Sequence, residues 1–351
     1  MRFSLIVPVY NRPDEVDELL QSCTRQTFRD FEVIIVEDGS TNKCDAVCAK
    51  YSTFAEGTEP FNIHYFYKNN SGPGQSRNYG AERAKGEFLI VLDSDVVLPD
   101  TYLASVTEEL EREDTDAFGG PDRAHASFST IQKAINYSMT SFFTTGGIRG
   151  GKKKLDKFYP RSFNMGIRRE VYKTLGGFSR MRFGEDIDFS IRIFRNDYRC
   201  RLFPKAWVWH KRRTDMRKFF RQVFNSGIAR INLYKKYPDS LKLVHLLPMV
   251  FTIGVVLLVL TSAVGRVLMQ YAGGMKWYPL AALPWLPIIF YALIIFLDSL
   301  RQTKSLRIAI YSIGAAFVQL IGYGFGFIVA WWKRCVCRKD EFSAFNNTFY
   351  K

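Results

Sequence analysis

Cysteine is scarce in these 351 residues. The six, Cys23, Cys44, Cys48, Cys200, Cys335 and Cys337, form no Cys-x-x-Cys pair, which argues against both a disulfide framework and a paired-cysteine zinc site. Histidine is scarcer, at four. The opening run Met1 to Pro8 has no longer hydrophobic segment behind it and no small-residue cleavage site, so no secretory signal is expected. Acidic charge nearly vanishes from the last third: residues 241–351 hold three Asp/Glu against eleven Lys/Arg. The first 148 residues are acidic, with a net charge of −10, whereas residues 149–240 carry +17 and the remainder +8. A nucleic-acid binder would spread its excess cations along one continuous face, so nucleic acid is not an expected partner. Anionic substrates and an anionic lipid surface suit this partition better.

What is present is an alternation of short apolar strands and helical stretches. Phe3 to Tyr10, Phe31 to Val36, Ile63 to Tyr67 and Phe88 to Leu92 are β-branched or aromatic runs. Between the first two, Val16, Leu19, Leu20 and Cys23 fall on one helical face. This is βαβ patterning and predicts an α/β, doubly wound sheet with its functional loops at the carboxyl ends of the strands. Farther on, Leu246 to Val264, Trp277 to Leu297 and Ile308 to Trp332 lack Asp, Glu, Lys and Arg. Each is long enough to cross a bilayer, which needs about 20 residues. Gly322, Gly324 and Gly326 interrupt the last run and leave open whether it crosses or bends back, so two to three transmembrane or re-entrant helices are expected.

Chemistry concentrates at the strand ends. Asp93-Ser94-Asp95 follows Phe88 to Leu92 directly, where two carboxylates either share a divalent cation with diphosphate oxygens or cap the turn ending at Pro99. Glu37-Asp38-Gly39-Ser40 closes another apolar strand. There Asp38 can accept hydrogen bonds from a nucleobase or ribose, although an Asp-Gly turn is also ordinary in a βα loop. Asn69 to Asn78 leads into a helix with Arg77 in its first turn, a setting that favours a nucleotide's phosphates or polar face. That loop fits neither Gly-x-Gly-x-x-Gly nor a Lys-Ser/Thr phosphate loop. Glu185, Asp186 and Asp188 precede the helix-like Ser190 to Phe194, where Asp186 suits a general base, although a carboxylate cluster at a helix amino terminus is also favoured by the dipole. His210 ends Ala206 to Trp209, either as a structural hydrogen-bonder or as a third metal ligand.

In this order, Val7-Pro8-Val9-Tyr10-Asn11, Glu37-Asp38-Gly39-Ser40, Gly72-Pro73-Gly74 with Arg77-Asn78, Asp93-Ser94-Asp95, Asn164-Met165-Gly166 with Gly176-Gly177-Phe178, and Glu185-Asp186 resemble family 2 glycosyltransferases of the GT-A fold. The resemblance spans roughly residues 3–212. It implies a nucleotide-diphospho-sugar donor, a Mg²⁺ or Mn²⁺ ion and inversion at the anomeric carbon. It also implies that Pro8, Tyr10, Glu37, Asp38 and Arg77 line the nucleoside pocket, that Asp93 and Asp95 contact ribose and metal with His210 beside them, and that Asp186 is the base. Glu37 stands where Asp is more usual. Glu185, Asn164 and Met165 are candidates for the acceptor side.

The expected organisation is a catalytic domain over residues 1–213, a basic amphipathic interfacial segment over 214–242, membrane helices over 243–332 and a basic tail over 333–351. Basic groups include Lys152 to Lys154, Arg168-Arg169 and Lys211 to Arg213, and aromatics interleave with charge from Met216 to Phe224. A helix of that kind lies on anionic lipid or is a solvated surface helix. Ile131, Ile135, Met139 and Phe142 or Phe143 form a second apolar stripe, in the core or at an interface. Lys235, Lys236, Lys242, Arg301, Lys304 and Arg307 point to a catalytic domain on the cytoplasmic side of the membrane. A lipid-linked acceptor then follows from location, with a soluble or glycan acceptor as the alternative. No Gln-x-x-Arg-Trp motif of processive polysaccharide synthases is present, which favours single addition, polyprenyl-phosphate sugar synthesis being one subclass. A non-enzymatic membrane binder of nucleotide sugars is the rival from another class.

Overall fold

The computed structural model describes residues 1–52, 62–123, 125, 127–145, 158–181, 183–272 and 274–340. The basic triplet 152–154 and the end of the tail, 341–351, lie outside the described residues. Strands are β1 (Phe3–Val9), β2 (Phe31–Asp38), β3 (Asn62–Lys68), β4 (Phe88–Leu92), β5 (Val96–Val97), β6 (Ala117–Gly119), β7 (Asp122–Arg123), β8 (Asn164–Arg168), β9 (Cys200–Leu202) and β10 (Val208–His210). Helices of the first half are α1 (Pro13–Thr24), α2 (Asp45–Ser52), α3 (Pro73–Arg83), α4 (Tyr102–Arg112), α5 (Thr130–Thr140) and α6 (Phe142–Thr145). The remainder are α7 (Arg169–Thr174), α8 (Glu185–Arg195), α9 (Met216–Lys236), α10 (Leu247–Tyr271), α11 (Tyr278–Ala282), α12 (Trp285–Thr303) and α13 (Leu306–Trp331).

Two compact units divide the described chain. The first, Met1–Ala126 with Lys154–Lys211, is built on a mixed sheet in the order β3-β2-β1-β4-β8-β6-β9. β1 to β4 run parallel, and β8 pairs antiparallel with both β4 and β6. Runs such as Leu5-Ile6-Val7 and Val33-Ile34-Ile35-Val36 are buried without alternation, as strands covered on both faces must be. Their side chains feed one core on each face of the sheet. The expected doubly wound α/β sheet is therefore the one observed. A small second sheet, β5-β10-β7, carries His210 opposite Val96, one residue beyond Asp95.

The second unit contains Ser127–Lys153 and Arg212–Ser343. The segment bearing α5 and α6 thus groups with the carboxy-terminal helices, although the sequence reading ran an unbroken catalytic domain to residue 213. Three of its helical segments, Leu243–Tyr271, Gly274–Thr303 and Leu306–Val336, are long and apolar enough to cross a membrane. The glycines in the third do not interrupt it, since α13 continues through them to Trp331. They are points of close approach instead: a Cβ on Gly326 would stand 2.0 Å from the Phe224 carbonyl oxygen on α9, and one on Gly324 2.3 Å from the Pro248 carbonyl oxygen on α10. Small residues at such crossings let helix backbones pack where lipid supplies no hydrophobic drive. α9 accordingly buries Phe219, Val223, Ile228, Ile231 and Leu233 and packs along α13, leaving Arg217, Lys218, Phe220 and Arg221 exposed. Where the second span breaks at Pro284, Ser262 donates to the Ala281 carbonyl (2.6 Å) and accepts from Trp285 Nε1 (2.8 Å), which satisfies backbone that lipid cannot.

Gly326→Val is expected to cost about 1–3 kcal/mol through overpacking. Gly314→Ala, where an added Cβ meets nothing within 4 Å, should be neutral or stabilising. Thermal unfolding of the two variants in detergent measures the contrast.

Candidate functional site

Three side chains converge at the carboxyl end of β4. His210 Nε2 stands 3.2 Å from Asp95 Oδ1 and 3.9 Å from Asp93 Oδ2, and the ligand atoms of the three lie within 4.8 Å of one another. The outer oxygens of the same carboxylates are held by guanidinium groups. Arg12 Nη1 donates to Asp95 Oδ2 (2.6 Å) and Arg77 Nη2 to Asp93 Oδ1 (3.0 Å). The arrangement turns Asp93 Oδ2, Asp95 Oδ1 and His210 Nε2 toward a common point, and two carboxylate oxygens with an imidazole nitrogen form a donor set suited to Mn²⁺-type ions. Phe163 stacks on the imidazole at 4.8 Å between centroids. Asp122 Oδ2 lies 3.8 Å from its Nδ1, a second carboxylate placed to orient the ring.

Arg77 joins this group to α8. Its Nη1 donates to Glu185 Oε1 (2.8 Å) while Nη2 holds Asp93, and the residue is only 3% exposed. Burial works against the guanidinium charge, but Asp93, Glu185 and Asp186 outweigh it and raise its proton affinity. Glu185 moves upward from its ordinary 4.5 because burial outweighs the pull of Arg77. The carboxylates that open α8 have separate partners. Asp186 lies 3.5 Å from Arg161 Nε and accepts from the Ile187 amide (2.8 Å), whereas Asp188 pairs with Arg192 (2.9 Å).

The β2 end is a scaffold. Asp38 accepts from the Ser71 amide (2.9 Å), the Gly72 amide (2.8 Å) and Lys68 Nζ. α3 begins at Pro73, so Arg77 occupies its second turn and not the first turn expected from sequence. The loop ahead of α3, expected to favour a nucleotide's phosphates or polar face, gives its Ser71 and Gly72 amides to Asp38. Gly39 is required here: its φ is +76°, and a Cβ would come within 2.8 Å of the Asn70 amide nitrogen.

Residues 4–176 match the model of glycosyl transferase family 2. That segment belongs to the family. An uncharacterized glycosyltransferase of Rickettsia felis is 31% identical over 152 residues, covering 42% of this chain and 23% of the relative. The poly(ribitol-phosphate) beta-N-acetylglucosaminyltransferase TarS of Staphylococcus aureus is 37% identical over 97 residues, 27% of this chain and 16% of TarS. The chain thus spans less than a quarter of the length of either. Among solved structures, a mannosyltransferase from Pyrobaculum calidifontis in complex with GDP-Man and Mn²⁺ aligns over 90% of this chain and 86% of its own, with a TM-score of 0.60 and 18% identity. The likeness is one of fold. Glu185, Asp186 and His210 lie beyond the matched residues of the family 2 domain.

Within this glycosyltransferase domain some expected site residues take other places. Asn164 is buried in β8, accepting from Tyr102 Oη (2.6 Å) and donating to the Ala206 carbonyl (2.8 Å). Met165 is fully buried in the core. Both were acceptor-side candidates, and the pairing of β8 with β4 makes them interior instead. Glu37 is likewise closed off, accepting from Ser40 Oγ, the Cys44 amide (2.8 Å) and Cys44 Sγ (2.9 Å), and so shapes the loop that was to be lined by it. Pro8 is half-buried, and Tyr10 is 47% exposed at the end of β1. Arg12, Arg161, Phe163 and Asp122 were not singled out. Only Arg12, next to the Val7-Pro8-Val9-Tyr10-Asn11 motif, had a local signal.

Arg77→Met should destabilise the fold by about 3–5 kcal/mol, because it strands buried carboxylates. Glu185 has its folded pKa raised, so its contribution is fully present below the unfolded value and is lost as pH rises above about 4.5. Glu185→Gln is expected to flatten that slope, measured as unfolding midpoints between about pH 5 and pH 8.

Proposed function

We propose that the protein is an inverting glycosyltransferase. It transfers a sugar from a nucleotide-diphospho-sugar to a hydroxyl or phosphate of a lipid-linked acceptor at the cytoplasmic face of a membrane. The observation that carries this reading is the convergence of Asp93, Asp95 and His210, tied by Arg77 to the start of α8, in a family 2 domain. The mannosyltransferase of similar fold, solved in complex with GDP-Man and Mn²⁺, supports a nucleotide-sugar donor and a divalent cation. Three apolar helical segments support a membrane-borne acceptor.

Asp93, Asp95 and His210 would hold Mg²⁺ or Mn²⁺, which supplies positive charge for the departing diphosphate. Pro8, Tyr10 and Asp38 flank the nucleoside side, with Asp38 acting through the loop that it clamps. Asp186 accepts the proton of the acceptor as its oxygen bonds to the anomeric carbon. The bond from that carbon to the diphosphate breaks on the opposite face, and the nucleoside diphosphate leaves with the electron pair. Arg161, beside Asp186, sets the direction of the carboxylate.

Nucleotide release from uridine-, guanosine- and thymidine-linked sugars, scored on the reconstituted full chain with and without a lipid extract, tests the reading. Release that depends on one donor and rises with lipid is expected, and no release from any donor overturns the assignment. Asp186→Asn should lower transfer about 10²–10⁴-fold with donor binding nearly intact. Asp95→Ala should abolish Mn²⁺ binding measured by titration calorimetry.

A further inference from the structure

The helical corner α5–α6 carries features that no step of glycosyl transfer uses. Along α5, Ala134, Ile135 and Met139 pack with Ala315 of α13 and with Phe219 and Val223 of α9. At its carboxyl end, Tyr137 Oη and Ser141 Oγ both donate to Asp298 Oδ2, at 2.6 and 3.1 Å. One residue after Phe142, the Phe143 carbonyl accepts from Tyr291 Oη at 3.1 Å. Asp298 and Tyr291 are both on α12, and their separation of seven positions corresponds to about 10 Å along a helix axis. The corner therefore runs beside α12 from its charged end, with Asp298, Arg301 and Lys304, into the stretch Trp285 to Leu297, which has no charged residue.

Two observations bear on the surroundings of α6. Phe142 is 69% exposed and Phe143 45%, beside a helix whose exposed residues include Ile289, Phe290, Leu293 and Leu297. The turn that enters α6, moreover, has its polar groups paired internally, the Ser141 carbonyl accepting from the Thr144 and Thr145 amides and from side-chain hydroxyls. Thr144 Oγ1 donates to the carbonyls of Ser138 and of Ser141 (3.1 Å), Thr145 Oγ1 donates to that of Ser141 (2.8 Å), and the Phe143 amide donates to Ser141 Oγ (3.3 Å). Water would satisfy such groups on an ordinary surface, whereas hydrocarbon leaves them dependent on internal partners. A depth of about 10 Å is well within one leaflet of a hydrocarbon core about 30 Å thick.

We propose that α6 is a membrane-immersed element and that Phe142 and Phe143 dock among the acyl chains of the leaflet next to the Asp298 end of α12. The occupant is bilayer lipid, since the exposed apolar surface of α12 is continuous with these rings. The inference rests on the reading of α12 as a span and is independent of the donor and the metal.

Nitroxide labels at Phe142→Cys and, separately, Phe143→Cys test it in the full chain reconstituted into phosphatidylcholine vesicles, in a Cys335→Ser, Cys337→Ser background. Leu293→Cys serves as the span reference and Glu111→Cys as the aqueous one. Collisions with oxygen and with a water-soluble nickel chelate are compared by electron paramagnetic resonance. The expected result is loss of nickel collisions at both phenylalanine positions, to the level at Leu293, with oxygen collisions retained. Nickel access at those positions matching Glu111, with Leu293 shielded, overturns the immersion of α6 alone. Nickel access at Leu293 as well overturns the span reading and this inference with it. The second label keeps the test decisive if one variant fails to fold.

Discussion

The Arg77 guanidinium lies almost out of water, and such a charge persists only when carboxylates neutralise it in good geometry. Asp93 and Glu185 do so from opposite sides, and in consequence the end of β4 and the start of α8 are held to one cation. This bridge joins the segment after β4 to the start of α8, which are far apart in sequence. The clamp of Asp38 on Ser71 and Gly72 serves the same end, because it sets where α3 begins and therefore where Arg77 points.

The requirement that removed polar groups be matched governs the second unit in another form. There the groups to be matched are backbone carbonyls, and hydroxyls contribute to matching them: Ser262 at the break before α12, Thr144 and Thr145, beside their own amides, at the turn of α6. Gly324 and Gly326 let α13 approach α10 and α9 closely enough for backbone-to-backbone packing. Both units thus rely on directional contacts at a few positions, and these positions carry what is distinctive about the chain.

Much of this architecture is legible in order along the chain. Unbroken apolar runs announce buried parallel strands, and Asp93 and Asp95 immediately after one of them announce paired carboxylates at a strand end. The three charge-free stretches announce spans by length alone. Asn164 and Met165 are misread because alternation cannot reveal that β8 runs antiparallel between β4 and β6, which turns both inward. The glycines of α13 leave two readings open in the sequence because one glycine serves equally as a bend or as a contact, and only the neighbouring backbone distinguishes the two.

Sequence by itself determined the elements and the chemistry they carry, since hydrophobic period, turn residues and residue type are local properties of the chain. It determined that carboxylates end β2 and β4 and begin α8, and that the last third is apolar enough to span a membrane. Only the tertiary structure decided partnership: that Arg12 and Arg77 hold the outer oxygens of Asp95 and Asp93, that Asp38 binds the loop before α3 while Glu37 binds its own, and that α5 and α6 join the apolar helices. Such pairings depend on distances across the fold, where hydrogen-bond geometry and desolvation choose among many chemically equivalent partners.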